Sequence, residues 1–284
     1  MIDSMKDSPF TQKPFQPGFA VRLPLAIDVA PLIAELHALG AEPWRVHFNT
    51  DYHDGGWSGF VLQSTNVDAN TLYAPTAGVS SVSVRPTAHA GQCPALMQAI
   101  AAFHCDVKAA RVLRLVAGAT IREHNDADLV WSDGEARLHI PLLTNPDVAF
   151  YVSDQRVQML AGECWYLNLS QPHRVQNRGA SERVHLVLDC GVNDWLTEQV
   201  QKGSPPTVES SQMVDDATAQ FQAFREIVFR EPSLMHELRA CGRPDELMAL
   251  TASLAGARGF KFSVEDVRAE MNRAQRDWMA QWIV

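Results

Sequence analysis

His124-Asn125-Asp126 sets an imidazole and a carboxylate two residues apart, and His173 supplies a second imidazole further along the chain. Two imidazoles and one carboxylate on one face of an octahedral ion leave positions open for a chelating ligand and O2, the pattern of non-haem Fe(II) oxygenases. An H-x-D triplet alone is weak evidence in a chain with 10 histidines, and a second one occurs at His104-Cys105-Asp106. Context separates them. His104 closes a predicted amphipathic helix, where a histidine suits the negative end of the helix dipole. His124 closes a strand-and-turn stretch, Arg111 to Glu123, where a ligand loop on a β scaffold belongs.

Arginines surround the second histidine. Arg183 opens the run Arg183-Val184-His185-Leu186-Val187-Leu188-Asp189, and an earlier run reads Arg137-Leu138-His139-Ile140. Residues two apart on a strand face the same side, so each Arg-x-His pair is expected to point into one pocket. Buried cations cost several kcal/mol unless paired, on the order of a buried-ion penalty. A dianion such as 2-oxoglutarate offsets that cost, and the planar fork of Arg183 matches a carboxylate bidentately. The plain structural alternative puts Arg137 and His139 on an exposed strand edge. Arg114 and Arg111 precede the H-x-D motif; a strand-end surface charge is an equal reading for Arg114. Trp44, His47, His53 and Trp57 are candidates for the pocket wall, although tryptophans are more often core and histidines more often surface or structural.

The elements that must hold these residues follow from periodicity and turn chemistry. Strands are expected at Phe19–Asp28, Trp44–Phe48 and Trp57–Gln63, with a turn at Asp54-Gly55-Gly56. Helices are expected at Val29–Leu39, ending at Gly40, and at Pro94–His104. From Ala110 to Asp189 short alternating runs dominate: Arg111–Val116, Arg137–Leu142, Val148–Val152, Arg156–Met159, Glu163–Leu167 and Arg183–Asp189. Gly118, Ser132-Asp133-Gly134, Asn145-Pro146-Asp147, Gly162 and Gly179 separate them, which predicts an antiparallel sandwich or barrel. Helices return at Ala217–Phe229, Ser233–Ala240, Pro244–Ala255 and from Val264, where Ser263 and Asp266 form a capping pair. The expected division is an arm over 1–17, a β domain over 18–196, a linker over 197–214 containing Gly203, Pro205 and Pro206, and a helical domain over 215–284.

Bulk properties exclude several classes. The 284 residues are 46% hydrophobic, enough for a core, and carry a net charge of −9. A dispersed acidic balance speaks against a nucleic-acid partner. Five cysteines without a CxxC pair speak against a cysteine zinc site and fit a reducing, cytoplasmic setting. No apolar run has the length of a signal peptide core or a membrane span.

The order H-x-D, R-x-H, then Gly162-Glu163-Cys164-Trp165-Tyr166-Leu167 running to Pro172-His173, then Arg183 to Asp189, resembles the aspartyl/asparaginyl β-hydroxylase family, and within it the bacterial proline cis-hydroxylases. The resemblance covers residues 20 to 195. It implies a mainly β chain with helices, built on a double-stranded β-helix (a cupin-like jelly roll), with Fe(II) as cofactor, 2-oxoglutarate as cosubstrate and O2. It implies His124, Asp126 and His173 as catalytic metal ligands and Arg183 as the grip on the 2-oxoglutarate tail. Arg137 and His139 match positions that contact substrate or the inner carboxylate, and Arg114 is carried along as a cofactor-binding candidate. Leu113 departs from the animal member, which has a serine there. The implied reaction is hydroxylation of an unactivated C–H in an amino acid or an aspartyl, asparaginyl or other peptidyl residue, with release of succinate and CO2.

The C-terminal residues Phe224 to Val228, Glu231 to Leu234, Leu238 and Gly259 to Val267 resemble the Nif-eleven-like helical module, the leader region of peptide natural-product precursors. Two further classes remain open on the sequence. One is a non-catalytic cupin-type protein binding a metal or small acid. The other is a peptide-interaction protein acting through the helical module. A zinc hydrolase would leave both Arg-x-His strands without a purpose.

Overall fold

The computed structural model describes residues 15–53, 55–65, 72, 83–206 and 212–280. Most of the expected arm, residue 54 of the expected turn and residues 207–211 of the expected linker lie outside the described residues.

The chain opens with β1 (Ala20–Ala26), α1 (Ala30–Leu39), β2 (Arg45–Val46), β3 (Trp57–Ser64), β4 (Arg85–Pro86) and α2 (Pro94–Ala101). Eight strands follow: β5 (Asp106–Leu115), β6 (Thr120–His124), β7 (Glu135–Leu143), β8 (Val148–Val152), β9 (Gln155–Val157), β10 (Glu163–Leu167), β11 (His173–Asn177) and β12 (Arg183–Gly191). Then come α3 (Asp194–Lys202), α4 (Gln212–Arg230), α5 (Pro232–Arg239), α6 (Pro244–Gly256) and α7 (Val264–Ala280).

The large sheet runs β1-β10-β7-β12-β5-β3-β2, with β4 on β3, and the small sheet runs β6-β11-β8-β9. Pairing is antiparallel throughout. β12 returns to lie between β7 and β5, and β11 returns to lie between β6 and β8. That interleaving of late strands among early ones, across two facing sheets, is a jelly roll, the double-stranded β-helix.

Both faces of the large sheet are buried, so its strands read as nearly continuous apolar runs. Val112, Leu138, Ile140, Leu186 and Leu188 face outward onto Leu32 and Leu36 of α1, Leu96 and Ile100 of α2, and Leu196 and Val200 of α3. The alternate residues face the small sheet, where Trp57, Leu115, Ile121, Phe150, Val175 and Val187 form the inter-sheet core. The last four helices have an apolar core of their own, built around Phe224, Leu234, Met248, Ala255 and Val267.

Helix starts follow local chemistry. Proline occupies the first turn of α1, α2, α5 and α6, where a missing N–H costs nothing. The Asn193 side chain caps α3 by accepting from the Leu196 amide at 2.9 Å. At α7 the expected capping pair forms: Asp266 N–H donates to Ser263 Oγ at 3.2 Å, and Ser263 N–H donates to Asp266 Oδ2 at 2.7 Å.

Several expectations need correction. The stretch from Thr197, expected as linker, begins inside α3, because the Asn193 cap and the buried Leu196 and Val200 carry a helix across it. The strand expected over Trp44–Phe48 shrinks to two residues. The helix expected to reach His104 ends at Ala101, so His104 is not a helix-end residue; it stacks on Trp195 at 5.5 Å.

Candidate active site between the two sheets

Two strands of the small sheet deliver the histidines. In the β6–β11 pairing Ile121 faces Val175 and His124 faces His173, so Arg122 and Glu123 together stand opposite the single residue Arg174. This is a β-bulge. The extra residue brings Ile121 and His124, three positions apart, onto one inner face. The loop after β6 carries Asp126, held by its amide donating to the Leu169 carbonyl at 2.8 Å.

One ligand atom from each of His124, Asp126 and His173 lies within 4.8 Å of the others. The two imidazole centroids are 4.2 Å apart. His124 Nδ1 is 2.8 Å from the Arg122 carbonyl, and His173 Nδ1 is 3.0 Å from the Gln171 carbonyl. A carbonyl only accepts, so both Nδ1 atoms carry hydrogen and both Nε2 atoms present a lone pair, the tautomer a metal ligand needs. Burial lowers the pKa of both rings, His173 to about 4. Burial alone would raise the Asp126 carboxyl, but Arg137, His173 and His124 outweigh it and hold the group below its ordinary value. Neutral imidazoles and an ionised carboxylate form a donor set that fits a divalent cation.

Arg183 lies beside this set on β12, 2% exposed. Its Nη2 is 2.7 Å from His185 Nδ1, its Nε has no partner, and no carboxylate among the described residues pairs with it. Burial lowers its pKa to about 9. A buried guanidinium with an orphaned N–H fits an anionic ligand. His139 lines the same pocket; its Nδ1 is 3.2 Å from His185 Nδ1 and its Nε2 has no partner.

Arg137 enters the pocket as expected, but anions already meet it. It pairs with Asp126 Oδ2 and with Asp189, which is fully buried and also pairs with Arg111. Asp189 and Arg111 were not expected as site residues. Their signal was parity: 183, 185, 187 and 189 share one face of β12, and 111, 113 and 115 share one face of β5. The same parity corrects Arg114. One position from Leu113, it faces away from the pocket, where its Nε donates to Ser58 Oγ at 3.1 Å and its guanidinium lies 4.1 Å from the Trp44 ring. Trp44 is therefore outside the pocket, whereas His47 and Trp57 line it, stacked at 3.4 Å with Phe48 and Tyr52 at the same mouth. His53 sits behind them, its Nε2 3.1 Å from the His47 carbonyl. The second H-x-D triplet contributes nothing here; the only metal-type cluster among the described residues is His124, Asp126 and His173.

Comparison with known proteins decides the family. The chain matches the profile named Aspartyl/Asparaginyl beta-hydroxylase over residues 31–191, more than half its length. It belongs to the aspartyl/asparaginyl β-hydroxylase family. Membership makes the chain a hydroxylase, and the match runs from α1 to the end of β12, so it contains every pocket residue named above. The helices from α3 onward lie beyond it. No curated protein matches the sequence.

Solved structures with a similar path include a 2OG-Fe(II) oxygenase family oxidoreductase from Burkholderia pseudomallei (18% identity, 62% of this chain and 87% of that one, TM-score 0.39). The epimerase SnoN of nogalamycin biosynthesis (12%, 68% and 87%, 0.41) and a prolyl-4-hydroxylase from Pseudomonas putida (14%, 62% and 94%, 0.35) are others. Leu113 lines the pocket wall, 8% exposed, and brings no hydroxyl toward Arg183.

Proposed function

We propose that this β-hydroxylase family member is an Fe(II)- and 2-oxoglutarate-dependent dioxygenase acting on an amino acid or on an aspartyl, asparaginyl or other peptidyl side chain. The observation that carries the reading is the cation without an anion: Arg183, buried and unpaired by any described carboxylate, shares a pocket with a two-histidine, one-aspartate donor set. A site built only to bind a metal has no use for that guanidinium.

Iron with 2-oxoglutarate and O2 supplies the oxidising power to convert C–H to C–OH, with succinate and CO2 as the other products. His124 and His173 would hold the ion through Nε2, their rings fixed by the Arg122 and Gln171 carbonyls. Asp126 would complete the set while Arg137 keeps it ionised. Arg183 would receive the distal carboxylate of 2-oxoglutarate as a charge-assisted fork. Leu113, Ile121, Phe150 and Val187 wall the pocket and limit water near the reacting atoms. His47, Phe48, Tyr52 and Trp57 leave the substrate an aromatic mouth.

The test is an anaerobic titration of the protein with Fe(II) and then 2-oxoglutarate, followed in air by a succinate-release screen over amino acids and short peptides. One-to-one binding of both and substrate-stimulated succinate support the reading; tight metal binding with no 2-oxoglutarate binding would replace it with a non-catalytic metal-binding role. The likeness of α4 to α7 to a leader-peptide module adds peptides to the substrates worth screening.

A further inference from the structure

The outer face of the small sheet is buried although its residues are polar. On β11 His173 and Val175 face the pocket, while Arg174 and Gln176 face outward and are 4% and 2% exposed. Tyr151, paired with Arg174 on β8, is buried beside it, with the guanidinium 4.2 Å from its ring. The cover is the α7 region: Gln176 Nε2 is 3.3 Å from Ser263 Oγ, and Arg178 Nη2 is 2.8 Å from Asp266 Oδ2.

The same helix grips the β-bulge at both of its residues. Arg122 lies 3.9 Å from Glu265, and Asn272 donates to Glu123 at 2.9 Å. Opposite the bulge, Arg174 meets Glu123 at 3.4 Å and Asp154 at 2.8 Å, and Arg273 of α7 meets Asp154 at 3.5 Å. Glu123 and Arg174 are the immediate neighbours of His124 and His173. A bulge is a local distortion that its surroundings must hold in place, and this one decides where His124 points.

We propose that α7, which lies outside the family match, is a positioning element of the metal site: Glu265 and Asn272 hold the Arg122-Glu123 bulge, Arg273 braces Arg174 opposite it through Asp154, and together they aim His124 at His173 and Asp126. The inference rests on the metal-site reading above. It assigns the helical segment a role in the β domain's chemistry in addition to any partner it recruits. Anything that draws α7 away from the small sheet would loosen the metal.

The test uses the full chain and Co(II), whose visible spectrum reports ligand geometry, with affinity measured by titration. The variants are Asn272→Ala and Glu265→Gln, with Arg239→Ala, exposed on α5, as control. The expected result is about tenfold weaker Co(II) binding in either bulge variant, the lower end of what losing an outer partner of a ligand costs. An altered Co(II) spectrum should accompany it, with unchanged circular dichroism; Asn272→Gln should restore part of the affinity. Glu265→Gln keeps the side chain's volume and serves if Asn272→Ala fails to fold. Wild-type affinity and spectrum in a folded bulge variant would overturn the role of α7 and leave the metal site standing. Failure of the wild-type chain to bind Co(II) would remove both.

Discussion

Arg183 Nη2 lies 2.7 Å from Nδ1 of His185, and that contact assigns the protons on a second histidine. A guanidinium only donates, so His185 Nδ1 accepts. His139 Nδ1 stands 3.2 Å from the same nitrogen and must therefore carry its hydrogen. His139 Nε2 is then a bare lone pair. Burial first, with Arg183 and Arg137 adding to it, pushes the His139 pKa well below its ordinary value, so the ring is neutral. Nitrogen-15 NMR of the full chain at neutral pH should show His139 protonated on Nδ1 alone, and His185→Phe should release that preference. Protonation on Nε2 in the wild type would break the relay.

The same arginine sets the 2-oxoglutarate requirement. Arg183→Ala removes one partner of a desolvated charge pair, a loss of about 2–5 kcal/mol. At about 1.4 kcal/mol per factor of ten, the KM for 2-oxoglutarate should rise roughly thirtyfold or more. Arg183→Lys keeps the charge but not the fork and should recover only part of it. Succinate release against 2-oxoglutarate concentration measures both. An unchanged KM in Arg183→Ala would take this residue out of the site.

Much of this site was legible in the residues, and what was not has a physical reason. His124, Asp126, His173, Arg137, His139 and Arg183 share one pocket, as their motifs implied. β11 has no legible strand pattern because His173-Arg174-Val175-Gln176-Asn177 carries a single apolar residue, Val175, with polar side chains turned both to the pocket and to α7. For Arg114 the sequence leaves a cofactor-binding and a surface-charge reading equal, because a motif gives spacing and not the face of the strand; the pocket takes Arg111. Asp189 was visible as the end of an alternating run, yet only the fold shows that it answers two arginines. An antiparallel sandwich or barrel followed from turn residues at regular intervals, and the jelly roll followed from the family resemblance. The grip of α7 did not, since hydrogen bonds between distant polar residues leave no periodic trace.

Asp189 should be a stability residue before it is anything else. It is fully buried between Arg111 and Arg137, and Arg111 is already held to a pKa of about 9, by burial first and then by Arg137. Asp189→Asn keeps the shape, strands the buried Arg111 and leaves Arg137 with Asp126 as its one carboxylate partner. Breaking a buried pair on one side costs about 3–5 kcal/mol. Denaturant unfolding of the metal-free chain should show that loss, and adding Arg111→Gln should return part of it. A midpoint unchanged by Asp189→Asn would mean the cations are better solvated than their burial implies.

His47 gives the fold a dependence on pH that can be read with its sign. The ring is stacked on Trp57 at the pocket mouth, and its pKa is lowered to about 3, chiefly by burial and then by Arg111, His53 and Arg137. The unfolded chain takes up a proton near the ordinary value of about 6.5, whereas the folded chain resists until about 3. Between those values the unfolded state binds more protons, so stability rises with pH across the window and falls on acidification. Above about 6.5 His47 contributes no slope. Replacing it with Gln, which has no proton to gain, should flatten the fall in melting temperature from pH 6.5 to 4 in the metal-free protein while leaving the curve above pH 7 parallel to wild type. If both proteins lose stability equally over that window, the ring is already protonated in the fold and its stack on Trp57 is that of a cation on an indole.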